Sequence, residues 1–205
     1  MRNIAVFISG EGTTLGRIIE ACDKKEIDVN LALVVSSNEK ALGVALAKGE
    51  GIDVVCAEDE KTIIEALVNH NIDLIILAGY LKLISEDIIN NYSKKIINIH
   101  PSLLPKFKGK GMYGINVHKA VIEAKEAESG ATIHYVDKEY DNGKIIAQEK
   151  VDLEMLETPE SLNKKIKTLE KKMLIENSNR SSVRRSHTRH RTTTLKFAYR
   201  QHHQR

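Results

Sequence analysis

The sequence predicts an α/β fold: a Rossmann-like, doubly wound, mostly parallel sheet with a mixed extension on its C-terminal side. Three observations predict it. Through residues 1–100, short apolar runs alternate with segments of helical periodicity, the pattern of strands joined by crossover helices. A glycine-rich turn joins the first apolar run to the first helical segment. Past Pro105 the pattern becomes two alternating runs separated by "KEYDNG", which reads as two antiparallel strands and a turn.

Each element has its own signal. "NIAVFIS" (3–9) is an apolar strand, and "LGRIIEACDKK" a helix with Leu15, Ile18, Ile19 and Cys22 on one face. "NLALVVSS" (30–37) is a strand, followed by the helix "KALGVALAKGEG", which glycine ends. "IDVVCA" (52–57) is a short strand before the helix "EKTIIEALVNHN". "IDLIILAG" (72–79) reads as a strand buried on both faces, and a short helix near 85–92 leads to the strand "KKIINIH". Beyond it come the loop "KFKGKGMYG", the helix "INVHKAVIEAKEA", the strand "GATIHYVD" and the strand "KIIAQEKVDL". The last helix is "TPESLNKKIKTLEKKMLIE", with Thr158 as N-cap and Pro159 at its first position.

At 205 residues and 41% hydrophobic, the chain can bury one sizeable core. Two cysteines, Cys22 and Cys56, suggest neither a disulfide framework nor a metal site, so a reducing cytoplasm is the expected compartment. No apolar run reaches a membrane span, and "IAVFI" is too short for a signal peptide. The formal charge of +3 hides an asymmetry. Residues 177–205 hold seven Arg, one Lys and no acid, a net of +8, which leaves the first 176 residues at −5. An acidic body has no electrostatic footprint for nucleic acid. Residues 1–176 are therefore expected to form a single domain. The basic tail, 177–205, lacks apolar periodicity and switches from Lys to Arg, and it reads as non-native or disordered rather than as a nucleic-acid arm.

Chemistry concentrates at "INIHPSLLP" (97–105). Pro101 has no N–H for a ladder, so His100 is the last extended residue of its strand. Period two puts Asn98 on the same face, and the carboxyl end of such a strand is where open α/β sheets bind ligands. A capped strand end with a satisfied Asn and His fits these residues equally well. "YDNG" adds Asp141, a carboxylate that could fix the His100 tautomer and favour its charged form. Two donors converging on one point can stabilise an oxyanion. No activated Ser or Cys nucleophile is evident, which points to direct attack by a substrate amine. His134, between apolar Ile133 and Tyr135, and His118, on a helix, read as structural. Lys106, Lys108 and Lys110 read as a solvated loop.

The turn "ISGEGTTLGRI" can hold an anion on backbone N–H groups and the hydroxyls of Thr13 and Thr14. Gly10, Gly12 and Gly16 miss the dinucleotide spacing, the following strand ends "VVSSN" without the expected acid, and no Walker lysine is present. A phosphate monoester suits the turn better than NAD, and a bare tight turn is the other reading.

"INIHPSLLP", with "ISGEGTTL" before it and "SGATIHYVDKEYDNGKIIAQEKV" after it, resembles the folate-dependent formyltransferases, and within them the phosphoribosylglycinamide branch. The resemblance covers roughly residues 1–175. It implies transfer of the formyl group of 10-formyltetrahydrofolate, as co-substrate and without a metal, to the amine of phosphoribosylglycinamide in purine biosynthesis. It makes Asn98, His100 and Asp141 the catalytic trio and puts Gly10, Gly12, Thr13 and Thr14 on the ribose-phosphate loop, although the family more often has Asn where this chain has Thr14. Glu170 would contact the glycinamide and Lys167 could reach its phosphate. Leu81, Lys82, Leu83 and Ile84 would line the pterin pocket with backbone groups, beside Asn98. The helix at 158–176 also has a plain reading as a surface helix packed on the sheet. The expected partners are these small molecules, with no nucleic acid and no membrane, in a monomer or homodimer. Alternative readings are a formyltetrahydrofolate hydrolase, in which water replaces the amine, a formyltransferase for another small amine, and a nucleotide-binding module without catalysis. The family normally continues past "KKMLIE" with more apolar helix, where this chain turns basic.

Overall fold

The computed structural model describes residues 1–182. Its elements run β1 (Arg2–Ile8), α1 (Thr13–Asp23), β2 (Val29–Ser36), α2 (Leu42–Gly49), β3 (Val54–Cys56), α3 (Glu60–Asn69), β4 (Leu74–Leu77), α4 (Glu86–Asn91), β5 (Ile96–His100), α5 (Ile115–Glu123), β6 (Glu128–Tyr135), β7 (Ile145–Asp152) and α6 (Pro159–Ser182). The strands form one sheet in the order β3-β2-β1-β4-β5-β6-β7. Pairings from β3 through β5 are parallel, and β5–β6 and β6–β7 are antiparallel. The predicted fold class is therefore the observed one.

Alternation along β1 divides the core. Ile4, Val6 and Ile8 pack with Leu15 and Ile18 of α1, Val117 and Val121 of α5, and Leu162 and Ile166 of α6. Ala5 and Phe7 face the other way, against Ile63 and Leu67 of α3 and Ile88 of α4. The sheet is thus covered on both faces, which is why β1 and β4 read as continuous apolar runs.

The starts of α3, α4 and α6 are capped by side chains, whereas those of α1, α2 and α5 are not. Asp59 Oδ1 accepts from Thr62 N–H at 2.8 Å at α3, and Ser85 Oγ accepts from Ile88 N–H at 3.3 Å at α4. At α6 the Thr158 hydroxyl accepts from Ser161 N–H at 3.2 Å while the Ser161 hydroxyl accepts from Thr158 N–H at 3.0 Å. Of the uncapped starts, α1 is the one that follows the glycine-rich turn after β1. It starts after Gly12, at φ +75°, with no side-chain cap. A Cβ on Gly12 would lie 2.6 Å from Gly43 Cα, and Gly43 N–H donates to Gly10 O at 3.2 Å, so this turn is seated on the start of α2.

The order β2-β1-β4 places the topological switch between the carboxyl ends of β1 and β4, where a crevice opens. The last helix is longer than the expected 158–176, since α6 runs on to Ser182 through the start of the basic segment. The remainder of that segment, 183–205, lies outside the described residues. No helix among the described residues is long and apolar enough to cross a membrane.

Candidate active site

A cavity of about 490 Å³ opens at the carboxyl ends of β1, β4 and β5. The turn Gly10–Thr14 forms one wall, Ala78–Leu81 after β4 a second, and the loop Gly109–Gly114 a third. Asn98, His100 and Asp141 line it together with His118 of α5 and Asn163, Lys167 and Glu170 of α6.

Sheet register and one turn assemble the polar centre. Asn98 and His100 sit on one face of β5, where Asn98 faces His134 and His100 faces Thr132 across the antiparallel pairing with β6. The turn after β6 brings Asp141 back over the strand ends, at φ +52°. His100 Nδ1 lies 3.3 Å from Asp141 Oδ1, at side-chain exposures of 3% and 11%. His100 Nε2 is 2.8 Å from the Phe107 carbonyl oxygen. Both ring nitrogens face oxygens that only accept, so the ring satisfies both as a double donor.

Asn98 Nδ2 donates to Asp141 Oδ1 at 3.2 Å and to His134 Nε2 at 3.1 Å. His134 Nδ1 is 2.8 Å from the Tyr135 carbonyl oxygen, which requires the proton on Nδ1 and leaves Nε2 as the acceptor for Asn98. The 3.6 Å approach of His134 Nε2 to Asp141 Oδ1 is then a close contact rather than a donated bond while that ring is neutral. Asp141 Oδ2 accepts from Gly109 N–H at 3.1 Å. Burial works against a charge on Asp141, but hydrogen bonding from His100, its charge and the Gly109 N–H outweigh it and hold the carboxyl well below the usual carboxylate range.

The α6 wall has a different electrostatic character. Desolvation pushes the Glu170 carboxyl up to about 7, against the pull of His100, Lys167 and Lys171. Lys167 Nζ lies 3.8 Å from Glu11 Oε2 across the cavity mouth. His118 is buried at 1% exposure, and desolvation lowers its pKa to about 4 despite a hydrogen bond with Asn163, so the ring is neutral near pH 7.

Most of the expected residues meet at this cavity, and some do not. Gly10, Gly12, Thr13, Thr14, Leu81, Asn98, His100, Asp141, Lys167 and Glu170 line it. Lys82 and Leu83 instead point to solvent, and Ile84 is packed in the core against α3 and α4, so of the four residues Leu81–Ile84 only Leu81 reaches the cavity wall. The Leu81 N–H already donates to the Ser9 hydroxyl at 2.9 Å. The three loop lysines are exposed, as expected of a solvated loop, and two of them also have surface partners: Lys106 pairs with Glu126 at 2.8 Å and Lys108 with Asn142 at 2.7 Å.

Three groups join the site without having been singled out for it. His134 is structural in burial but orients Asn98. The Phe107 carbonyl and Gly109 N–H are backbone groups, which no side-chain pattern announces. The signal for His134 lay in the β5–β6 pairing, which a local reading of "TIHYV" lacks.

The chain is similar to known proteins over most of its length. The model of the formyl transferase family matches residues 2–177. A chloroplastic phosphoribosylglycinamide formyltransferase of Arabidopsis thaliana is 38% identical over 185 residues, 85% of this chain, and this chain spans 63% of that protein's length. A phosphoribosylglycinamide formyltransferase of Bacillus subtilis is 35% identical over 181 residues, 84% of this chain and 90% of the relative. The crystal structure of phosphoribosylglycinamide formyltransferase from Bacillus halodurans superposes with a TM-score of 0.81 at 31% identity, covering 89% of this chain and 96% of that one.

Proposed function

This chain belongs to the formyl transferase family, and from that premise we propose that it moves the formyl group of 10-formyltetrahydrofolate to the amine of 5-phosphoribosylglycinamide, as a step of purine nucleotide synthesis. One observation carries the mechanism: the buried cluster of Asn98, His100 and Asp141 stands between an uncapped helix start and a wall that holds Lys167 and Glu170.

In this reading the ribonucleotide's phosphate sits on the N–H groups of Gly12, Thr13 and Thr14, with Lys167 in reach. Its amine lies near Glu170, where a carboxyl that ionises near pH 7 can take the ammonium proton and leave the neutral nucleophile. The amine attacks the formyl carbon, a C–N bond forms, and the oxygen becomes an oxyanion. His100 and Asn98 supply donors to it. Their hydrogens have acceptors within the protein, so the incoming oxygen displaces the Phe107 carbonyl from His100 Nε2 and one acceptor from Asn98. Collapse breaks the bond from carbon to the folate nitrogen, which takes up the proton lost by the amine. Asp141 stabilises the His100 cation and passes that proton through water. The chemistry needs no metal. Cys22 and Cys56 are unpaired, which suits a reducing cytoplasm as the compartment.

A structure of the protein with the glycinamide ribonucleotide and a non-reactive folate analogue tests the reading. The expected complex has the phosphate on Gly12–Thr14, the amine between Glu170 and His100, and the pterin against Leu81. A phosphate bound elsewhere, or a pterin that stops short of His100, would refute it.

A further inference from the structure

Glu11 is the acidic residue of the turn between β1 and α1, the same turn that lines the cavity. Helix α1 has no side-chain cap and no acidic residue in its first turn, so this carboxylate is the negative charge that an anion would meet there. Glu11 Oε2 lies 3.8 Å from Lys167 Nζ, and the two side chains are 70% and 42% exposed, free to change partner. The backbone cannot withdraw, because Gly12 is pressed against Gly43 and Gly43 N–H holds Gly10 O.

These groups pull in opposite directions. The N–H groups and Lys167 attract a phosphate, while Glu11 repels it and holds the same lysine. We infer that Glu11 tunes affinity at the ribose-phosphate subsite by competing with the substrate's phosphate for Lys167. The inference rests on the proposed assignment of the turn as the phosphate site. Binding is then an exchange of anions on one lysine: phosphate oxygen takes Nζ and the Glu11 carboxylate swings to solvent. Substrate and product carry the same phosphate, so both are held more weakly by the same amount. The effect falls on KM for the ribonucleotide rather than on the chemical step.

Steady-state kinetics of Glu11→Gln, which keeps the shape and removes the charge, test this. KM for the glycinamide ribonucleotide is expected to fall about two- to fivefold at low ionic strength, with the gap closing as salt is raised. KM for 10-formyltetrahydrofolate holds its value. In a Lys167→Met background the same substitution gives a smaller fall, since the shared partner is gone. A rise in KM would show that Glu11 holds the ribonucleotide, through its ribose hydroxyls, and an unchanged KM at low salt would make it a bystander. Either result overturns the inference. Failure of the underlying assignment looks different: the unaltered protein would show no saturation by the ribonucleotide.

Discussion

Asn98 and His134 face each other across β5 and β6, with the amide nitrogen 3.1 Å from the imidazole Nε2. Because the Tyr135 carbonyl fixes the proton on the other ring nitrogen, His134 presents a lone pair that settles which way the Asn98 amide points. The donor nitrogen is thereby turned toward Asp141 rather than away from it.

Removing the Asn98 amide with Asn98→Ala is expected to lower turnover on the order of a hundredfold, about 2.7 kcal/mol, as for loss of one oxyanion donor. His134→Leu, which deletes the acceptor that orients the amide together with the bond to the Tyr135 carbonyl, should cost less, about tenfold. Rate constants for the two variants at saturating substrates provide the check. A His134→Leu protein slower than Asn98→Ala would contradict a positioning role.

Asp141→Asn keeps the shape and withdraws the charge beside His100. Turnover should fall on the order of a hundredfold or more. The same change alters acid stability. The folded pKa of Asp141 lies below its unfolded value, so its stabilisation is complete above the ordinary carboxylate range and drains away as pH falls through that range toward the folded value. Urea unfolding of both proteins between about pH 3 and 6 should show the acid slope shallower in Asp141→Asn. Parallel slopes would mean the carboxylate is unperturbed by folding.

Gly143 tests the turn that delivers Asp141. A Cβ there would fall 1.7 Å from the carbonyl oxygen of Tyr135, whose backbone is held by pairing with Ile97 and by its N–H bond to the Lys144 carbonyl at 3.0 Å. Gly143→Ala should therefore lower the melting temperature and turnover together. Exposed Gly51 has open space for a Cβ, but its φ is +70°, so Gly51→Ala is expected to cost about 1 kcal/mol of stability and leave turnover intact. A Gly143→Ala protein with normal turnover would show that Asp141 reaches His100 by another route.

These contrasts mark what was legible in the sequence. The parallel half was legible because each strand and helix carries its own periodicity, from Ile4–Ile8 to Ile96–Ile99. The trio was legible because Pro101 ends β5 at His100, and because the turn "YDNG" offers Asp141, which the resemblance also implied. Contacts set by pairing register or by backbone groups were not: His134 beside Asn98, Phe107 and Gly109 on the trio, and Ile84 turned into the core rather than toward the cavity. Spacing along the chain encodes faces of elements, not which faces meet.

His70 makes a separate prediction for pH. It closes α3, with Nδ1 2.8 Å from the Ala66 carbonyl oxygen and Nε2 2.9 Å from Asp53 Oδ2. The bond to Asp53 and then the carbonyl raise its pKa above 6.5, with burial opposing. A raised folded pKa gives stability that is fully present below the unfolded value and lost as pH rises through the folded one. The stability gap between the protein and its His70→Gln variant is therefore expected to reach up to about 1 kcal/mol near pH 6 and to close above about pH 8. A gap that does not change with pH would contradict the charged cap.

The most direct test of the function is the fate of a labelled formyl group. The protein is supplied with 10-formyltetrahydrofolate carrying that label, with and without the glycinamide ribonucleotide, and the labelled product is identified. The account predicts label on the ribonucleotide's amine, one tetrahydrofolate released per formyl transferred, and little turnover when the ribonucleotide is absent. Labelled formate released at the same rate with or without the ribonucleotide would make water the acceptor and contradict the account.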